Sequence, residues 1–149
     1  MQLVLFCGIQ ATGKSTFYQQ RFFHTHVRLS LDLLRTRHRE QRLLRVCLDT
    51  QMRCVIDNTN PTQAERATYI MPAKEAGFEV VGYFFQSIAA DALVRNRQRP
   101  LERQIPDKGI RGTRNRLEIP ALSEGFDKLY YVRVVGNQEF ALTEWQDEV

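Results

Sequence analysis

The sequence predicts an α/β fold in which a parallel sheet of about five strands carries helices on both faces, and two observations support it. Short apolar runs alternate with longer stretches of helical periodicity along the chain. The first such run, "QLVLFC" at 2 to 7, leads directly into "GIQATGKST" at 8 to 16, where Gly8 and Gly13 bracket four residues and Lys14 and Ser15 follow. That spacing, placed between a strand and a helix, describes a phosphate-cradling loop.

Taken in order, Leu3 to Cys7 reads as a buried strand and Lys14 to Phe23 as a helix. "HVRLS" at 26 to 30 is a short strand, and a long helix is expected from Asp32 to Leu48, with Leu33, Leu34, Arg37, Gln41, Leu44 and Leu48 near helical spacing. Ser30 is its candidate N-cap. "RCVID" at 53 to 57 is a strand. A helix from about Thr62, just after Pro61, to Ala76 ends at Gly77. "EVVGYFF" at 79 to 85 is a strand, Ile88 to Arg97 a helix and "KLYYVRVV" at 128 to 135 a last strand. The segment from about 99 to 125 has no strand pattern, contains Pro106, Gly109, Gly112 and Pro120, and is the candidate lid.

At 149 residues the expectation is a single domain, 1–149, which leaves little room for a motor or transporter. An apolar content of 43% with 26% charge excludes a disordered chain. The apolar start is too short to span a membrane and lacks a basic leader, so no membrane role is expected. Cys7, Cys47 and Cys54 are odd in number and set in apolar surroundings, which points to reduced thiols in a cytoplasmic protein and argues against a zinc site. Net charge is +4, yet 95 to 116 alone holds eight basic residues against Glu102 and Asp107. Such a stretch suits the phosphates of a nucleotide or of a polyanionic acceptor, although a solvated charge run has the same composition.

The loop binds phosphate because its backbone N–H groups turn inward and the following helix points its positive end at the same spot. Gly8, Gln10, Ala11, Thr12, Gly13, Lys14, Ser15 and Thr16 form the candidate nucleotide site. Lys14 is expected to reach the β- and γ-phosphates of ATP, and the Ser15 hydroxyl to ligate Mg²⁺. Ligands in parallel sheets lie at the carboxyl ends of the strands, which brings Asp32 and 57 to 60 into the same neighbourhood. Asp32 is a candidate general base, although an acid in a first helical turn is also favoured by the helix dipole. Arg35, about one turn further, is a candidate contact for an acceptor phosphate, although a surface arginine on a helix already rich in arginine would look the same. Asp57 ends its strand where such folds present an acid to Mg²⁺ or its water shell, followed by Asn58, Thr59 and Asn60, although this run is also good turn chemistry before a helix. Arg95 and Arg99 share a helix face, with Asp91 as a candidate partner for Arg95. Arg99, beside Pro100, is the candidate lid arginine for charge on the γ-phosphate.

Assembled, these positions resemble the P-loop kinase domain of polynucleotide 5′-hydroxyl kinases. The likeness rests on "GIQATGKST", the Asp of "LSLDLLR", "VIDNTNPT", "RNRQR" and "EIPALSEGFDKLYYV", in the same order and at similar spacing. It implies that ATP and Mg²⁺ are held by Lys14 and Ser15. It also implies that Asp32 is the base for the 5′-hydroxyl of DNA or RNA, that Arg35 contacts the acceptor's 3′-side phosphate and that Arg99 acts from the lid. A polar role for Asp57 or Asn58 is implied as well. One departure is Leu31, where the family often has a polar or basic residue before the acid. Many relatives are fused to phosphatase or ligase modules, for which this chain has no room. That leaves it to work alone or with separate enzymes of those kinds. A kinase for a nucleoside, sugar or antibiotic would use the same Lys14, Ser15 and Asp32, and a non-enzymatic nucleotide switch the same loop.

Overall fold

An apolar run with no polar alternation is what a strand buried on both faces requires, and Gln2–Cys7 forms such a strand, β1. The computed structural model describes residues 1–146. The chain continues through α1 (Lys14–Arg21), β2 (Val27–Leu29), α2 (Leu31–Leu34), α3 (Arg37–Asp49), β3 (Cys54–Ile56) and α4 (Gln63–Glu75). Then come β4 (Glu79–Phe85), α5 (Ala89–Arg97), α6 (Asp107–Arg116), β5 (Lys128–Gly136) and β6 (Glu139–Glu144). The sheet order is β2-β3-β1-β4-β5-β6. β1 pairs in parallel with both β3 and β4, Leu3 lying opposite Cys54 on one side and Val80 on the other.

Alternation along β1 sends side chains to two separate cores. Leu3, Leu5 and Cys7 pack with Leu44, Cys47 and Leu48 of α3 and with Tyr69, Ile70 and Ala73 of α4. Val4 and Phe6 pack on the other face with Phe17, Tyr18 and Phe22, which follow along and just past α1. Helices therefore cover both faces, as expected. The three cysteines are buried and free.

One expectation needs correction and two gain an element. All five anticipated strands form, but a sixth, β6, folds back antiparallel on β5. Its residues are at least partly exposed, so the apolar run that marks the inner strands is missing there. The helix expected from Asp32 to Leu48 is broken in two. Arg35 has φ 75°, and the chain restarts at Thr36, whose Oγ1 accepts from the Arg39 N–H at 3.1 Å. A good N-cap inside a continuous apolar periodicity ends one helix and opens the next. The candidate lid segment, 99 to 125, holds no strand but does contain α6. Two glycines lower its intrinsic helix propensity, and packing compensates, with Ile110 buried against Ile9, Ala11, Ala92 and Leu93.

The late "PALSEGF" stretch packs onto the first of these cores, to which Phe126 belongs. Phe126 lies so close to β4 that a Cβ on Gly82 would meet its ring at 2.6 Å. Glu124 meets the fully buried Arg66 of α4 in a two-pronged ion pair, Nε to Oε1 at 2.8 Å and Nη2 to Oε2 at 3.0 Å. The third arm of Arg66, Nη1, donates to the carbonyl of Asn60 at 3.0 Å. Removing one partner of a buried pair leaves the other charge uncompensated. Glu124→Ala is therefore expected to destabilise the fold by about 3–5 kcal/mol, as read from urea denaturation, whereas the exposed Arg45–Asp49 pair should be worth less than about 1 kcal/mol.

Candidate functional site

The loop after β1 is tied to both neighbouring strands. The Gly8 N–H donates to the Thr59 carbonyl beyond β3 at 2.9 Å, and the Ile9 N–H to Ser87 Oγ beyond β4 at 3.1 Å. Gly13 is left-handed at φ 90°, and a Cβ there would meet the Phe140 ring at 2.7 Å. Ala11 also takes a positive φ, 60°, a conformation rare outside functional loops for a residue with a Cβ.

Lys14 is enclosed by this loop. Its Nζ donates to the carbonyls of Ile9 at 2.6 Å and Gly8 at 3.0 Å, with Thr12 Oγ1 at 3.4 Å. Thr12 Oγ1 in turn donates to the Ile9 carbonyl. Burial lowers the Lys14 pKa to about 8, and the negative charge of Asp57 opposes that shift. An ammonium held this way is stabilised by an anion brought to the loop.

Ser15 and Asp57 meet at the mouth of the loop. Ser15 Oγ donates to Asp57 Oδ2 at 3.1 Å, and the same oxygen accepts from Arg28 Nε at 2.8 Å. Arg28 Nη2 also reaches Ser15 Oγ, at 3.1 Å. A hydroxyl beside a carboxylate is a hard-oxygen pair that suits Mg²⁺, which characteristically completes its shell with water and phosphate oxygens. Arg28 was not foreseen. Its signal was its position one residue before the buried end of β2, in a strand of three residues where alternation is hard to read.

Asp32, in the first turn of α2, and Arg99, just past α5, line the same cleft as Lys14, Ser15 and Asp57. Burial lowers the Arg99 pKa, and Asp32 is the charge that works against this. Gln10, Ala11 and Thr59 line it too, and its volume is about 260 Å³. Asn58 reaches the cleft, but its amide is committed to protein. Oδ1 accepts from the Leu31 N–H at 2.9 Å and Nδ2 donates to Glu40 at 2.7 Å. Gln10 Nε2 donates to Thr113 Oγ1 of α6 at 3.0 Å. A larger open groove, about 500 Å³ around Gln2, His26, Arg53 and Glu79, lies at the opposite end of the strands and holds none of these groups.

Other expected site residues stand apart from the cleft. Gly8, Thr12 and Gly13 shape the loop from behind, and Thr16 lies in α1, half-buried. Arg35 is exposed at the break between α2 and α3. Arg95 does not pair with Asp91. Its Nη1 donates to the Ala11 carbonyl at 3.2 Å and so braces the loop. Ser30 occupies the N-cap position of α2 but gives no side-chain cap; its buried hydroxyl is without a hydrogen-bond partner among the described residues.

A family model described as an AAA domain matches residues 3–120. The chain belongs to this AAA domain family. The domain is 27% identical over 129 residues to the bifunctional polynucleotide phosphatase/kinase of Schizosaccharomyces pombe. That match covers 84% of this chain and 32% of the relative, so the chain spans about a third of that protein's length. Its fold is that of the P-loop kinases. A gluconokinase from Sinorhizobium meliloti 1021 superposes with a TM-score of 0.67 at 14% identity, covering 92% of this chain and 85% of that one. Chaetomium thermophilum Kti12 in complex with ADP-AlF3 gives 0.70 at 14% identity, covering 88% of each chain.

The depressed Lys14 pKa has two consequences. Between about 8 and the ordinary lysine value the unfolded chain binds the extra proton, so Lys14 makes the free fold more stable as pH rises through that window. Phosphate binding needs the ammonium, so affinity for nucleotide measured calorimetrically in EDTA is expected to fall about tenfold from pH 7 to pH 9. In Lys14→Met affinity should be weak throughout and this pH dependence absent.

Proposed function

We propose that this AAA domain transfers the γ-phosphoryl group of ATP, with Mg²⁺, to the 5′-hydroxyl end of DNA or RNA. The observation that carries the reading is the opposition, across one cleft, of a carboxylate and an arginine, Asp32 and Arg99, to the loop that encloses Lys14. Phosphoryl transfer asks a protein chiefly for positioning and charge stabilisation, with one group to orient the attacking hydroxyl. Bound ATP would supply the phosphoryl group and leave as ADP, and Mg²⁺, held by Ser15 and Asp57, would offset the phosphate charge.

The chain's own residues do the rest. Lys14 and the inward N–H groups of the loop hold phosphate oxygens. Ser15 and Asp57 offer oxygen ligands to the metal and its waters, and Arg28 fixes the Asp57 carboxylate. Asp32 orients the acceptor hydroxyl and takes its proton on a carboxylate oxygen. Arg99 stabilises charge that develops at the transferred group. The segment 99–125 acts as the lid, and Arg35 meets a phosphate of the acceptor.

The polynucleotide acceptor is supported by the likeness to the S. pombe protein, which its name describes as a polynucleotide phosphatase/kinase, and by the basic run from 95 to 116. A small-molecule kinase would use the same Lys14, Ser15 and Asp32, and the modest cleft volume is the observation on its side. No described helix is long and apolar enough to cross a membrane.

Transfer of labelled γ-phosphate to 5′-hydroxyl oligonucleotides of DNA and RNA, beside gluconate and free nucleosides, separates these readings. Wild-type protein is expected to label the oligonucleotides. Asp32→Ala should lose about 10²-fold or more in turnover while its nucleotide dissociation constant stays within about twofold, since Asp32 lies outside the loop. Rising salt should weaken the oligonucleotide reaction steeply and spare an uncharged acceptor. Label on gluconate or nucleosides alone overturns the polynucleotide reading, and nucleotide binding with no transfer to any acceptor favours a switch.

A further inference from the structure

The active cleft is backed by a buried polar network that the proposed transfer chemistry does not itself use. Glu40, in the first turn of α3, is fully buried. Its Oε1 accepts from the Tyr69 hydroxyl at 2.5 Å and lies 3.5 Å from Arg37 Nη1, and its Oε2 accepts from Asn58 Nδ2 at 2.7 Å. Arg37 Nη1 also donates to the Tyr69 hydroxyl at 2.8 Å. Burial first, and then the bond to Glu40, raise the Tyr69 pKa, so its hydroxyl remains a donor.

The far end of the network is α2, the four-residue helix that carries Asp32. A helix this short does not hold itself together, because its nucleus fixes several residues for very few hydrogen bonds. Its first N–H groups also need outside acceptors. Ser30 supplies no side-chain cap, and the Leu31 N–H, immediately before Asp32, is taken by Asn58 Oδ1 at 2.9 Å. An amide offers an acceptor on one side and donors on the other. Glu40, a pure acceptor, claims the donor side, which leaves only the acceptor facing Leu31.

We propose that Glu40 is a positioning residue for Asp32, acting through Asn58: its carboxylate fixes the orientation of the Asn58 amide, which in turn holds the first turn of α2 in register with the phosphate loop. The inference rests on the reading of Asp32 as the acceptor base. Positioning of this kind affects the reacting geometry without touching either substrate, so its loss appears in turnover while binding is spared.

The test compares wild type, Glu40→Leu and Glu40→Gln in the oligonucleotide transfer assay, with nucleotide affinity and melting temperature measured on the same samples. Leucine removes the acceptor for Asn58, whereas glutamine can still present a carbonyl oxygen to it. Glu40→Leu is expected to lose about 10- to 100-fold in kcat, with acceptor KM and nucleotide Kd within about threefold, and Glu40→Gln to recover most of the loss. Should Glu40→Leu fail to fold, Asn58→Leu cuts both bonds of the link and leaves Glu40 its bonds to Tyr69 and Arg37. The same fall in kcat at unchanged acceptor KM is then expected. An unchanged kcat in the folded variant overturns the proposal, as does a loss confined to KM, which would make these residues binding contacts. If the wild type labels no acceptor, the kinase reading falls and this one with it. An active wild type beside a fully active variant overturns the positioning role alone.

Discussion

The architecture turns on one backbone hydrogen bond, from the Gly8 N–H to the Thr59 carbonyl. It exists because β1, the first strand of the chain, is inserted between β3 and β4, where the strand order reverses. At that point the loops leaving neighbouring strands diverge and open a crevice. The bond clips the phosphate loop to the loop after β3. Ser15 thereby comes within hydrogen-bonding distance of Asp57, across 42 residues of sequence. Asn60 reinforces the clip, since its Nδ2 donates to the Phe6 carbonyl at 2.8 Å.

Around this junction cations and anions are arranged in layers. Lys14 is the innermost cation, solvated by the loop's own carbonyls. Asp57, steadied by Arg28, is the charge that most favours this ammonium, and Asp32 and Arg99 line the cleft further out. Each buried charge keeps its place because it is hydrogen-bonded, as burial without partners would cost several kcal/mol per ion. The Arg66–Glu124 pair serves the same economy at a distance. It holds the Asn60 carbonyl from below, so the late "PALSEGF" stretch, which touches no part of the cleft, supports the loop that does.

Much of the site was legible from local sequence. The glycine spacing, Lys14 and Ser15 form a contiguous pattern with a single mechanical meaning, and the cleft gathers Asp32, Asp57 and Arg99 with them. Less legible were the residues that depend on a partner far along the chain. Asn58 reads as one of four polar side chains at a strand end, yet its amide is spent on Glu40 and Leu31. Arg95 looks like a helix-surface ion pair with Asp91, yet it braces Ala11. Glu40 and Tyr69 read as ordinary helical positions, and only folding makes them one network with Asn58.

The sequence by itself determined the alternation of strands and helices, the two-faced burial of β1 and the phosphate loop. These follow from periodicities of two and 3.6 residues and from the backbone freedom of glycine, all of which act within a few residues. Tertiary structure decided the break at Arg35, the folding of 107 to 116 into α6 despite its glycines, the β6 edge and the pairing of Arg28 with Asp57. Each of these is a competition between a weak local preference and a contact made across the fold. Burial and charge pairing contribute more than the few tenths of a kcal/mol that separate local conformations.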